Sequence, residues 1–252
     1  MPPLLEAREL SRRFGGLVAV DKVSLAVEPL TVTALIGPNG AGKTTFFKML
    51  AGELQPTSGD VFFKDKRITK LNVTRVAQLG IAKSFQITQI FPKLTVEENL
   101  LVPALAATRG SFRVDALIPL ASAKGAHEIA ERVLQQIDLG DRRRMRASEL
   151  SYGEKRRLEL GLALATQPEV LLLDEPTAGM SPTERTAMVE LLEELRKTVT
   201  IVIVEHDMDV VFGLADRVFV LQDGRPIAEG TPAEIRGHPK VQEAYLGTGG
   251  VA

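Results

Sequence analysis

The sequence predicts an α/β fold, and three observations carry that reading. The apolar run Thr31-Val32-Thr33-Ala34-Leu35-Ile36 leads through a glycine-rich turn into a helical stretch. Two further apolar runs, Val170-Leu171-Leu172-Leu173 and Thr200-Ile201-Val202-Ile203-Val204, have strand length and no polar alternation, which marks strands buried on both faces. Helix-starting signals stand between these runs, and strands that alternate with helices build a parallel sheet.

Taken in order, residues from Leu4 to about Ile68 read mostly as strand. Val23-Ser24-Leu25-Ala26-Val27-Glu28 alternates, and Asp60-Val61-Phe62-Phe63-Lys64 follows the turn cluster Pro56-Thr57-Ser58-Gly59. Past Asn72 the period turns helical through Val76 and Leu79 until Gly80, before a short apolar run into Phe85 and Gln86. Thr95 with Glu98 forms a capping box that opens a helix to Ala107. A loosely specified connection over 108–121 precedes a second helix over about 122–137. Arg142-Arg143-Arg144 with Arg146 is the one dense basic run, read as a solvated helix end or loop. Ser151 and Glu154 have capping-box spacing and open a helix to about Thr166, which Gln167-Pro168 stops. Ser181-Pro182-Thr183-Glu184 combines an N-cap, a proline at the first helical position and a reaching glutamate, so a helix to about Lys197 follows. A hairpin turns at Asp223-Gly224, Thr231 and Glu234 make another capping box, and a tail helix lies near 241–246.

Gly37-Pro38-Asn39-Gly40-Ala41-Gly42-Lys43-Thr44 fits G-x-x-x-x-G-K-[ST] between its strand and helix, which is the context a phosphate-binding loop requires. Glycines let backbone N–H groups converge on polyphosphate oxygens. Lys43 supplies charge to the outer phosphates, Thr44 offers a hydroxyl to Mg²⁺, and the helix that continues through Thr45 points its positive end at the anion. Asp174-Glu175 ends the strand over 170–173, where α/β sheets bind ligands. Asp174 suits Mg²⁺ through water, and Glu175 is placed to polarise an attacking water. His206 repeats the geometry at the next strand end. Phe14, before Gly15-Gly16, reads locally as core or turn packing, with an adenine platform as its functional alternative.

Composition narrows the remaining classes. The 252 residues bound one domain with a subdomain, and 44% hydrophobic, 25% charged and a net charge of -1 describe an ordinary globular protein without the basicity of a nucleic-acid binder. The absence of cysteine excludes disulfides, thiolate catalysis and cysteine-bound metal centres. No apolar run approaches a membrane span and no secretory signal is evident, so a cytoplasmic location is expected.

With these motifs assembled, the chain resembles the ATPase subunit of an ABC transporter. Gly37 to Thr44 matches the Walker A motif, Gln86 the Q-loop, Leu150 to Glu154 the signature, Leu171 to Asp174 with Glu175 the Walker B motif and catalytic glutamate, and His206 the switch histidine. The resemblance implies a P-loop NTPase cassette with an antiparallel β subdomain and an inserted helical subdomain. Its expected division is a nucleotide-binding core over 1–86 and 162–236, a helical subdomain over 87–161 and a tail over 237–252. It turns Phe14 into the adenine-stacking A-loop residue and brings in Gln86 beside Thr44 and Asp174 as a catalytic and Mg²⁺-site residue. It sets Ser151, Gly153 and Glu154 against ATP held by a second subunit. Tyr152 departs from the usual first glycine of the signature and Ser181 from the usual D-loop aspartate.

Within that family the chain is most similar to branched-chain amino acid importer ATPases, through Phe14-Gly15-Gly16-Leu17-Val18-Ala19-Val20, Ser151-Tyr152-Gly153-Glu154, Glu205-His206-Asp207-Met208 and Ala244-Tyr245-Leu246-Gly247. Lipopolysaccharide-export and urea-import ATPases share many of these features, and a soluble non-transport ABC protein is the remoter alternative. The resemblance implies ATP and Mg²⁺ as cofactors. It implies as partners a paralogous second ATPase, two transmembrane permeases and, indirectly, a periplasmic or extracellular solute-binding protein, at the cytoplasmic face of the inner (plasma) membrane, with no nucleic acid.

Overall fold

The computed structural model describes residues 2–84, 90–109 and 124–246. Its strands are β1 (Leu5–Phe14), β2 (Leu17–Val27), β3 (Val32–Ile36), β4 (Ser58–Phe63), β5 (Lys66–Arg67), β6 (Ile81–Lys83), β7 (Val170–Asp174), β8 (Thr200–Val204), β9 (Arg217–Gln222) and β10 (Arg225–Gly230). Its α-helices are α1 (Lys43–Leu50), α2 (Val73–Leu79), α3 (Val96–Arg109), α4 (Lys124–Gln136), α5 (Tyr152–Leu164), α6 (Pro182–Leu195), α7 (Met208–Leu214), α8 (Pro232–Arg236) and α9 (Pro239–Leu246).

The strands form two sheets. One is antiparallel in the order β2-β1-β4-β5; the other runs β10-β9-β3-β8-β7-β6 and is parallel except where β10 returns along β9. Burial of the parallel strands on both faces follows directly from their unbroken apolar sequences. Leu35, Leu172, Val202 and Phe219 pack toward Phe46 and Phe47 of α1 and the inner face of the antiparallel sheet, including Leu10 and Val61. Their neighbours along the chain, Ile36, Leu171, Ile203 and Val220, point the opposite way, into a core shared with Leu100, Leu158 and Leu192 of the helices. Each such side chain withdrawn from water contributes about 1.5–3 kcal/mol, so this sheet fixes the frame from which the site loops project.

Helices α3, α4 and α5 gather Leu100, Val133, Leu134, Ile137 and Leu158 in one cluster. Gly161 permits the close approach, because a Cβ there would lie 2.7 Å from Ile137 Cδ1. Asn99 is wholly buried and satisfied: its Oδ1 accepts from the Phe91 N–H at 2.7 Å, and its amide donates to the Phe91 and Thr95 carbonyls. The basic run has an internal use, since Arg143 bridges Glu97 of α3 and Glu131 of α4 while Arg142 pairs with Glu154.

All four sequence-predicted capping boxes form, at Thr95/Glu98, Ser151/Glu154, Ser181/Glu184 and Thr231/Glu234. Helix α7 is not anticipated in the sequence reading, although Asp207 caps it by accepting from the Asp209 and Val210 N–H groups. The two-residue strand β5 and short 3-10 turns at Gly140–Arg142 and Ala147–Glu149 also carry too little periodicity to anticipate. Gln86 and most of the connection over 108–121 lie outside the described residues. No helix among the described residues is long and apolar enough to cross a membrane.

Candidate nucleotide site

The loop between β3 and α1 is shaped by packing before any ligand is considered. Gly37 has φ 148°, and a Cβ there would stand 2.0 Å from the Leu221 carbonyl oxygen. At Gly42, φ is 95° and a Cβ would stand 2.4 Å from the Ala19 oxygen. Both positions therefore require glycine for conformation and for space. The start of the loop is also buttressed from the tail: burial in α9 pushes the Tyr245 phenol up to about 12, against a hydrogen bond with the Gly37 backbone.

Lys43 is buried, and its Nζ donates to the carbonyls of Gly37 at 2.6 Å and Pro38 at 3.0 Å. Burial lowers its pKa, while Glu175 and Asp174 act in the opposite direction. A cleft of about 540 Å³ unites Phe14, Asn39, Gly40, Ala41, Gly42, Lys43, Thr44, Thr45, Glu175 and His206 with Leu17 and Asp223. Phe14 at its mouth is 45% exposed, and the Arg12 guanidinium stacks 4.7 Å from the ring centroid. An aromatic ring left this open at a cleft mouth suits a stacked base better than it suits core packing.

Glu175 follows β7 in the left-handed region, φ 51°, where a non-glycine residue is strained. Its N–H is held by the Val204 carbonyl at 2.8 Å, and its Oε1 lies 3.0 Å from His206 Nε2. The strand-end carboxylate and histidine are thus one pair. Behind them, buried Glu205 accepts from the Thr177 N–H and hydroxyl through one oxygen and from the His206 N–H through the other. Sequence reasoning missed Glu205 and Thr177 as positioning groups. The available signal was an acid between the apolar run over 200–204 and His206, whose burial only the structure shows.

Asp174 is 3% exposed, and neither carboxylate oxygen has a hydrogen-bond partner among the described residues. Burial raises its pKa; the Lys83 ammonium, itself paired with Glu53 at 2.9 Å, opposes the rise. A buried carboxylate without donors is chemically suited to a hard cation. No group of three acidic or histidine side chains forms a protein-only cage among the described residues, and Mg²⁺ needs none when phosphates supply oxygens.

Ser151, Gly153 and Glu154 do not line this cleft. They form the amino end of α5, where the Ser151 Oγ accepts from the Glu154 N–H, Glu154 accepts from the Ser151 N–H, and the Gly153 N–H donates to Glu184 Oε1 at 3.0 Å. Tyr152 reaches away from the helix to the Ala178 carbonyl at 3.0 Å and accepts from Arg156. The tyrosine that replaces a signature glycine therefore ties α5 to the segment after β7. Ser181 caps α6, which confirms the local role its sequence assigns. Elsewhere, an apolar hollow of about 310 Å³ opens between α2, β6, α3 and α5, with exposed Val73, Phe91 and Val102 around the Lys83–Glu53 pair.

Known proteins resemble this chain over most of its length. A family profile described as ABC transporter matches residues 20–178, and one described as branched-chain amino acid ATP-binding cassette transporter matches 225–251. The high-affinity branched-chain amino acid transport ATP-binding protein LivG of Escherichia coli K12 is 41% identical over 250 residues, covering 97% of this chain and 98% of that one. The lipopolysaccharide export system ATP-binding protein LptB of Acidithiobacillus ferridurans is 34% identical over 248 residues, covering 98% of each. Among solved structures, the ADP conformation of MJ1267, an ATP-binding cassette of an ABC transporter, superposes with a TM-score of 0.85 at 32% identity, covering 98% of this chain and 100% of that one.

Proposed function

The chain belongs to the ABC transporter ATP-binding family, and from that premise we propose that it energises import of branched-chain or similar hydrophobic amino acids through membrane permeases, working as a pair with a second, paralogous ATPase. The observation that carries the reading is the Glu175–His206 pair, 3.0 Å apart, facing the phosphate loop across one cleft. The solute class is supported by the 41% identity to LivG and by the tail match over 225–251.

In this reading adenine stacks on Phe14, and the phosphates lie along the loop that starts at Gly37 and Pro38, held by the N–H groups of Asn39, Gly40, Ala41, Gly42, Lys43, Thr44 and Thr45. Lys43 leaves its carbonyl partners to meet the outer phosphates. Thr44, Asp174 and Gln86 would hold Mg²⁺, which would supply positive charge to the phosphates. Glu175 accepts a proton as the water oxygen bonds to the γ-phosphorus; the bond to the β–γ bridging oxygen breaks, and ADP departs with that electron pair. His206 orients Glu175 and meets the γ-phosphate. Ser151, Gly153 and Glu154 face the nucleotide of the paired ATPase. The division into a core over 1–86 and 162–236, a helical subdomain over 87–161 and a tail beyond 237 then separates the two half-sites.

The apolar hollow beside Asp174's neighbours Lys83 and Glu53 is where a cytoplasmic segment of a permease would seat, and it supports a peripheral position on the cytoplasmic face of the plasma membrane. A solute-binding protein on the far side would deliver the amino acid. Lipopolysaccharide export is the second reading, supported by 34% identity to LptB. Co-expression with the neighbouring permease genes, reconstitution into liposomes and measurement of leucine uptake driven by internal ATP tests the proposal. Uptake lost with Glu175→Gln is expected. ATP turnover that responds to lipopolysaccharide and ignores amino acids would replace import with export.

A further inference from the structure

The amino end of α5 is the element whose partners are out of keeping with the proposed function. A phosphate at a helix N-terminus is held by free backbone N–H groups. Here the Gly153 N–H is buried and already spent on Glu184 Oε1 at 3.0 Å. The glycine itself makes that possible, because a Cβ at 153 would lie 2.5 Å from the same oxygen. Glu184 is held ionised, its pKa lowered by hydrogen bonds from Ser181 and from the Gly153 backbone. One negative carboxylate therefore sits between the positive ends of α5 and α6, where a phosphate would also be favoured.

From this we infer that Glu184 is an internal stand-in for phosphate: it closes the signature at Gly153 and must be displaced by the paired subunit's ATP. The inference rests on the proposed two-subunit site and adds to it a residue that sets how much ATP the pairing needs. Two anions cannot share one donor at 3.0 Å, and their like charges repel, so arrival of the γ-phosphate drives Glu184 off. Leaving is not a loss of its whole environment. The other oxygen, Oε2, keeps the Ser181 N–H and hydroxyl, so α6 stays capped while Gly153 changes partner. The adjacent Arg185 pairs with Asp207, next to His206, so the first turn of α6 joins the signature to the chain's own Glu175–His206 pair.

The test uses the full chain carrying Glu175→Gln, alone and with its paired ATPase, and reads by light scattering the MgATP concentration that gives half-maximal association. Glu184→Gln retains the capping box, which accepts Glu or Gln, and removes the charge. It is expected to lower that concentration by about 2- to 5-fold, the worth of one charge at a helix N-terminus, with ATP binding to the dissociated chain unchanged. An unchanged or higher concentration overturns the inference. Ser151→Arg separates the two layers. If it blocks association while Glu184→Gln has no effect, the stand-in alone fails; if association survives Ser151→Arg, the two-subunit reading fails and the stand-in with it.

Discussion

The phosphate loop grows out of β3, a strand whose residues are buried on both faces, and it ends with groups left unsatisfied around it: the bare carboxylate of Asp174 and an exposed Phe14 ring. The signature grows out of a helix cap, and each of its donors discussed above is answered within the chain, Glu154 by Ser151, Ser151 by Glu154 and Gly153 by Glu184. One half-site is open and anchored in a sheet; the other is closed on itself at the rim of a helical cluster. The difference teaches that the first half-site needs only the Lys43 side chain to leave its two carbonyl partners, whereas on the inference above the second exchanges a carboxylate at a backbone donor for an external phosphate.

The largest effect that could break this comparison is on hydrolysis. Glu175→Gln should slow single-turnover cleavage by roughly 10² to 10⁴ while leaving ATP binding intact, the usual worth of a positioned general base. Equal rates in rapid quench would remove Glu175 from the chemistry and, with it, the special status of the open half-site.

Next in size is stability. Leu35→Ala, in the sheet core, and Leu134→Ala, in the helical cluster, each remove a wholly buried side chain and should cost about 2–5 kcal/mol in urea unfolding. The comparison sharpens if Leu35→Ala also weakens ATP binding and Leu134→Ala spares it, because only the former underlies the phosphate loop.

Phe14→Ala should weaken ATP binding by about 1–3 kcal/mol, the range for a base stacked on an aromatic ring, without changing thermal stability. Unchanged affinity with a lowered melting temperature would return Phe14 to a packing role.

The smallest effect is on pH. Hydrogen bonds from Ser or Thr caps hold Glu98, Glu154, Glu184 and Glu234 below their ordinary value of 4.5. Folded values below unfolded ones mean the stability these groups contribute is present above pH 4.5 and is lost as pH falls through the lowered values. Denaturation midpoints should therefore decline below that point, and Glu184→Gln should make the decline shallower. A midpoint that rises on acidification would contradict the capping assignment.

The open half-site was legible in the sequence because its residues announce themselves locally. Lys43, Asp174, Glu175 and His206 each end or follow a recognisable strand, and the parallel strand order puts them at the carboxyl ends of β3, β7 and β8, with Lys43, Glu175 and His206 in one cleft. The closed half-site was legible only in part. Ser151 and Glu154 cap each other over three residues, a spacing any reader can see, but the bond from Gly153 to Glu184 joins positions 31 residues apart. Nothing in either segment signals the other. Glu205 escaped for a similar reason: its partner Thr177 lies 28 residues away, and a strand-end acid beside a histidine reads as surface until its burial is known. Phe14 gave the reverse lesson, since local composition favoured packing and its exposure beside Arg12 favours stacking.

The central claim, one nucleotide site completed by two chains, is tested most directly by occlusion. The Glu175→Gln chain, with its paired ATPase present, is incubated with labelled MgATP and passed through a sizing column. The account predicts a particle of two ATPase chains that retains nucleotide, lost when Ser151→Arg is added although the separated Ser151→Arg chain still binds ATP. Full wild-type turnover by a monomer carrying Ser151→Arg would contradict it.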